Sequence, residues 1–127
     1  MNILETKITR SKIVQKKWGH EEWVFNDAAL NICSKLLFVN ANNGFHFHCH
    51  LNKMEQFLVT KGRVKYFQID PETREVMSIY LNVGDAIFIN PPTCHSILAT
   101  EDSIILETST FHEDSDSYRT HVNSEIP

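Results

Sequence analysis

The sequence predicts an all-β fold, a sandwich or closed barrel of short antiparallel strands. Short β-type runs recur along most of the chain, and a turn signal follows nearly every one. No window of helical length carries an apolar stripe of helical period, and neither an internal repeat nor a low-complexity linker interrupts the pattern.

The strands are expected at 22–25, 33–39, 45–50, 56–60, 63–69, 76–81, 86–89 and 103–107. Between the first two, 26–30 reads as a helical turn. Asn42, Asn43 and Gly44 then open the 45–50 run, and Lys61-Gly62 separates 56–60 from 63–69. Asp70-Pro71-Glu72-Thr73 and Val83-Gly84-Asp85 bracket 76–81, and Asn90-Pro91-Pro92-Thr93 ends 86–89. Each cluster supplies residues that tolerate positive φ, fix φ or hydrogen-bond their own backbone, which is why it reads as a turn.

At 127 residues the chain is one domain, long enough to bury a core without staples. We expect the barrel core at about 20–112 and a C-terminal tail at 113–127, with Glu113, Asp114, Ser115 and Asp116 as a solvated acidic surface and the residues from Thr120 lying over the barrel or fraying. A formal charge of −4 without a polybasic run argues against nucleic acid as a partner. No apolar run approaches the ~20 residues of a membrane helix. Three cysteines cannot all pair internally and the first residues lack a secretory apolar core, so a cytoplasmic location is expected.

The stretch from Gly44 to Glu55, with Pro92-Thr93-Cys94-His95 after it, carries the chemistry. In an extended strand His46, His48 and His50 share one face, and Phe45, Phe47, Cys49 and Leu51 the other. Imidazoles facing a barrel interior need hydrogen bonds or a metal. Glu55 follows His50 by five residues, and a hairpin or bulge over 51–54 would return its carboxylate beside them. Three imidazoles and one carboxylate suit one divalent metal ion (Zn, Fe, Mn or Ni) and leave positions open for water or substrate. Cys49 and Cys94 flank these residues and read as small apolar side chains rather than thiolate ligands.

The pattern His48-x-His50-x4-Glu55-x6-Gly62, followed by Gly84-x10-His95, resembles the two motifs of the cupin superfamily. The resemblance implies a cupin-type double-stranded β-helix, a jelly-roll barrel, with His48, His50, Glu55 and His95 as metal ligands. The chain departs from the motifs at turn positions, Asn42, Asn90, Pro92 and Ala99, and at no ligand. More of the chain, through Lys17-Trp18-Gly19-His20-Glu21-Glu22, Lys35, the spacing from His50 to Glu55, and Leu106-Glu107-Thr108-Ser109 to Arg119, is similar to the cupin domain of type II mannose-6-phosphate isomerases and related sugar-pathway cupins.

That similarity implies a small-molecule substrate, a sugar or sugar phosphate, isomerised or epimerised at a divalent ion that chelates its carbonyl and adjacent hydroxyl while a base moves a proton between C1 and C2. Glu107 and His46 are the candidate bases; Lys35, Lys53 and Arg119 are the candidate substrate-binding cations. Trp18 and Trp23 would stack on a sugar or pack in the core. Two other classes stay open: a non-haem iron dioxygenase, and a metal- or sugar-binding cupin without turnover. Edge strands of such barrels need cover, and the basic stretch 7–17 is expected to pair across a two-fold axis in a homodimer.

Overall fold

The computed structural model describes residues 8–119. It contains eleven strands: β1 Lys12–Lys16, β2 Gly19–Asp27, β3 Ile32–Val39, β4 Gly44–His50, β5 Glu55–Lys61, β6 Arg63–Ile69, β7 Val76–Asn82, β8 Ala86–Ile89, β9 His95–Ala99, β10 Ser103–Ser109 and β11 Ser117–Arg119. They form two sheets, ordered β1-β2-β3-β10-β5-β8 and β11-β4-β9-β6-β7, and every pairing is antiparallel. Among the described residues no helix is long and apolar enough to cross a membrane.

The inward file of each central strand changes character along its length. On β3 it runs Val39, Leu37, Lys35; on β5 Val59, Phe57, Glu55; on β10 Ile105, Glu107; on β9 Ala99, Ile97, His95, all of them buried. The apolar ends meet in one cluster with Val64, Tyr66, Leu81 and Ile89. The charged ends therefore gather at the other end of the barrel, and burial of the apolar half, about 25 cal/mol per Å², is what holds them there.

Three strands lie outside the runs anticipated from sequence: β1, β9 and β11. The segment 7–17 contributes β1, which pairs with β2 of the same chain and is an edge strand among the described residues; Lys7 lies outside them. The 26–30 segment is not a helical turn. Strand β2 continues to Asp27, whose carboxylate accepts a hydrogen bond from the Leu30 N–H at 2.9 Å, and Asn31 closes the turn at φ 54. An Asx turn with a left-handed Asn is the cheaper solution for four residues joining two antiparallel strands.

Residues 51–54 form neither hairpin nor bulge. β4 and β5 belong to different sheets, so this segment crosses between them. The bulge lies earlier, where the register slips between Phe45↔Ile97 and His48↔His95. It breaks the expected alternation: Phe45 packs on the core cluster, His46 is exposed, and Phe47 packs against Phe67 at a ring separation of 6.4 Å. Gly44 lets β4 lie this close to β9, since a Cβ there would stand 1.9 Å from the Ile97 carbonyl oxygen.

Candidate metal centre

His48 and His50 on β4, Glu55 at the start of β5 and His95 at the start of β9 bring one ligand atom each to within 4.8 Å of one another. The imidazoles are aimed by their far nitrogens. Nδ1 of His48 lies 3.1 Å from the His46 carbonyl, Nδ1 of His50 3.1 Å from the Asp116 carbonyl, and Nδ1 of His95 3.0 Å from the Thr93 carbonyl. A carbonyl only accepts, so each Nδ1 carries the proton and each Nε2 presents a lone pair to the centre.

Glu55, only 2 % exposed, adds two more acceptor atoms to the same space. Its Oε1 stands 2.9 Å from His95 Nε2, its Oε2 3.5 Å from His50 Nε2 and 3.1 Å from Lys53 Nζ. These are ion-pair distances without hydrogen-bond alignment: both carboxylate oxygens and His95 Nε2 remain buried without a hydrogen-bond partner. Lys53 offsets the carboxylate from one side only, and the three lone pairs converging with it leave room for a cation among the four. The donor set, three nitrogens and one oxygen, fits one divalent transition ion.

The electrostatics agree. Burial, reinforced by neighbouring His95, pushes the His48 pKa down to about 3, and burial with Lys53 pushes His50 down to about 4, so both are neutral and competent to ligate at pH 7. Burial alone would raise Glu55, but His95 and Lys53 outweigh it and hold the carboxyl well below the usual range. In the metal-stripped protein these shifts make stability fall with acid. The unfolded imidazoles take up protons below their ordinary 6.5 while the folded ones resist until about 3 and 4, so stability is lost as pH falls through that window. Urea unfolding at pH 4 is expected to give at least about 2 kcal/mol less than at pH 7, a figure discounted for water in the open cavity; equal values would contradict the neutral tautomers.

The centre opens into a cavity of about 470 Å³. Lys53 is buried beside it, and its ammonium reaches Glu55 Oε2 and Glu107 Oε2, each at 3.1 Å, and His112 Nδ1 at 3.0 Å. Burial would lower its pKa, but Glu107 and Glu55 raise it, so the cation is retained. Glu107 lies on the cavity wall with Oε2 bound by Lys53 and by the Ser109 hydroxyl at 3.3 Å. Lys35 is 3.5 Å from Glu21 and 4.1 Å from the centre of the Trp23 ring. Arg119 sits opposite His48 on β11, exposed at the cavity, and forms no ion pair among the described residues. His46 is exposed at the rim, where its carbonyl rather than its ring serves the centre. Trp18 lines the cavity and stacks edge-on against Phe45, and Trp23 packs edge-on against His112.

Four residues of the site carry no sequence signal that sets them apart: Glu21, His112, Asp114 and Asp116. His112 accepts from Lys53 and donates Nε2–H to Asp114 at 2.8 Å. Asp116 is buried, not solvated. Its carboxylate accepts from the backbone N–H groups of Leu51 at 3.0 Å, Asn52 at 3.2 Å and Lys53 at 3.1 Å.

No family model and no curated protein matches the sequence. Solved structures do match the fold. The capsular polysaccharide assembling protein CapF from Staphylococcus aureus superposes with TM-score 0.76 at 17 % identity over 88 % of this chain and 34 % of its own. Oxalate decarboxylase from Bacillus subtilis gives 0.73 at 16 % identity over 91 % of this chain and 32 % of its own. The fold is that of the cupins. KdgF from Halomonas sp. gives 0.65 at 16 % identity over 76 % of this chain and 81 % of its own. The chain thus spans about a third of the length of CapF and of the decarboxylase, 34 % and 32 %. At such identities the likeness carries the jelly-roll architecture and no chemistry.

Proposed function

We propose that this cupin binds one divalent ion through His48, His50, Glu55 and His95 and uses it to isomerise or epimerise a small sugar or sugar phosphate. The observation that carries the reading is the convergence of one buried carboxylate with three imidazoles, two buried and one half-buried, whose Nδ1 atoms are all tied back to carbonyls. A bound ion would supply Lewis acidity to a substrate carbonyl that chelates it.

The chain's own groups supply the rest. Glu55 is committed to ligation, so the proton carrier must be another residue. Glu107 is held by one oxygen, through Lys53 and Ser109, while the other makes no hydrogen bond among the described residues. We assign it the proton transfer between adjacent carbons. His46 is exposed at the rim, and it is its backbone carbonyl that contacts His48. Lys35 and Lys53 face carboxylates already, so Arg119 is the cation left to take a phosphate, with Lys16 and Lys17 beside it at the cavity.

The test is a panel of aldoses and aldose phosphates incubated under nitrogen with metal-loaded protein in deuterated water. Product formation with deuterium entering at the carbon next to the carbonyl is expected, and Glu107→Gln should lower kcat by about 100-fold or more with metal content unchanged. Turnover that requires oxygen would replace the reading with an oxygenase, and no turnover across the panel would leave a binding cupin.

A further inference from the structure

The back of the metal-bearing sheet carries a second pair of reactive side chains that the proposed chemistry does not use. His48 and His95 face each other across β4 and β9. One step along an antiparallel register sets Cys49 opposite Cys94. The β4–β9 pairing ends at His48 and His95, and Cys94 is the residue just before β9; the outer neighbours still hold both backbones in line, Tyr118 of β11 pairing with Cys49 and the Ile69 N–H donating to the Cys94 carbonyl at 3.0 Å. Facing residues share a sheet face, so the two thiols stand together on the side away from the imidazoles.

Both cysteines are free and partly exposed, whereas Cys33 is fully buried. The Cys94 thiol lies 3.9 Å from the Pro92 carbonyl, and burial, with Cys49 as a neighbour, pushes its pKa up. Facing Cα atoms in an antiparallel pair are about 4.5–5.5 Å apart, inside the span of roughly 4.4–6.8 Å that a disulfide bridges. Closure needs no strand to move.

We propose that Cys49 and Cys94 form an oxidisable dithiol whose closure by a hydroperoxide pins the strands that carry the metal ligands. One thiol attacks the peroxide, giving a sulfenic acid and releasing the alcohol or water; the second sulfur then displaces the sulfenic hydroxyl as water, so two thiols and one peroxide yield one disulfide. The position explains the consequence. The crosslink closes a covalent ring from 49 to 94 that contains His50 and Glu55, with His48 and His95 directly adjoining its two cysteines. Local parting of β4 from β9 would loosen His48 and His95 together, and the bond restrains that opening.

The test uses the whole chain, loaded with zinc and treated with hydrogen peroxide in slight excess. Intact mass is expected to fall by about 2 Da, and mapping to join the peptides of Cys49 and Cys94 while Cys33 alkylates only after unfolding. Zinc transfer to a chromogenic chelator should slow at least about threefold and recover with a reductant. Cys49→Ser and Cys94→Ser should each lose both effects, and Cys33→Ser should keep them. Oxygen adducts on single cysteines, or a crosslink that includes Cys33 or a second chain, would overturn the pairing. A closed disulfide with unchanged zinc release would overturn its coupling to the centre.

Discussion

Glu55→Gln is expected to abolish tight metal binding while leaving the barrel folded. The substitution preserves shape and removes the one anionic ligand, so affinity for zinc or cobalt should fall on the order of 1,000-fold or more, since even outer-shell partners cost 10- to 100-fold. The same change costs the metal-free protein the ion pair with Lys53 at 3.1 Å. A glutamine amide offsets part of that loss, since it can donate to the nearby ring nitrogen of His95 or His50. Lys53 would keep Glu107 and His112 as partners. The metal-free melting temperature is therefore expected to fall by no more than about 5 °C. Elemental analysis after chelator treatment and reloading, alongside calorimetry, reads both effects. A carboxylate present only for structure would give the reverse: unaltered zinc content, if any, and a much lower melting temperature.

The convergence of the four residues was legible in the sequence because spacing at three strand ends and the cupin-like motifs both depend on local order. His48, His50, Glu55 and His95 meet as those motifs imply. Most strands were legible for the same reason, since turn residues mark their ends locally. The facing of His46 was not. Period-2 alternation assumes an unbroken ladder, and the bulge after Phe45 is set by how β4 meets β9, a partner fifty residues away whose own apolar run, Ile97 to Ala99, is too short to announce a strand. The crossing at 51–54 was likewise invisible as such, because a return to the same sheet and a passage to the other sheet ask for similar turn residues. Lys35 and Lys53 read as substrate cations from sequence, and the carboxylates that face them come from β2, β5 and β10. Charge pairing between strands far apart in sequence leaves no mark in one-dimensional order.

Asp116 shows how far that limit reaches. In the sequence it is one acid in a polar run, and removing an acid from such a surface changes stability by less than about 0.5 kcal/mol. In the fold it is 6 % exposed, and its carboxylate is the acceptor for three consecutive backbone N–H groups and for the Asn52 side chain at 3.4 Å. Those N–H groups belong to the segment that carries the chain from His50 in one sheet to Glu55 in the other, where no ladder can pair them. Asp116→Ala strands several donors, at least one of them buried at Lys53, and each such orphan costs about 1–3 kcal/mol. A loss of about 3 kcal/mol or more is expected, a fall of roughly 10 °C in melting temperature. Asp116→Asn, which keeps one acceptor oxygen, should recover part of it. The same substitution should weaken zinc binding by about 10- to 100-fold, because the spacing between His50 and Glu55 is set by the loop that Asp116 anchors. Stability lost without affinity lost would mean that β4 and β5 alone position the ligands. Affinity and stability falling together, with His50 still hydrogen-bonded through the backbone carbonyl of residue 116, would place the control of the centre in the short turn before β11, which sequence order assigns to the surface.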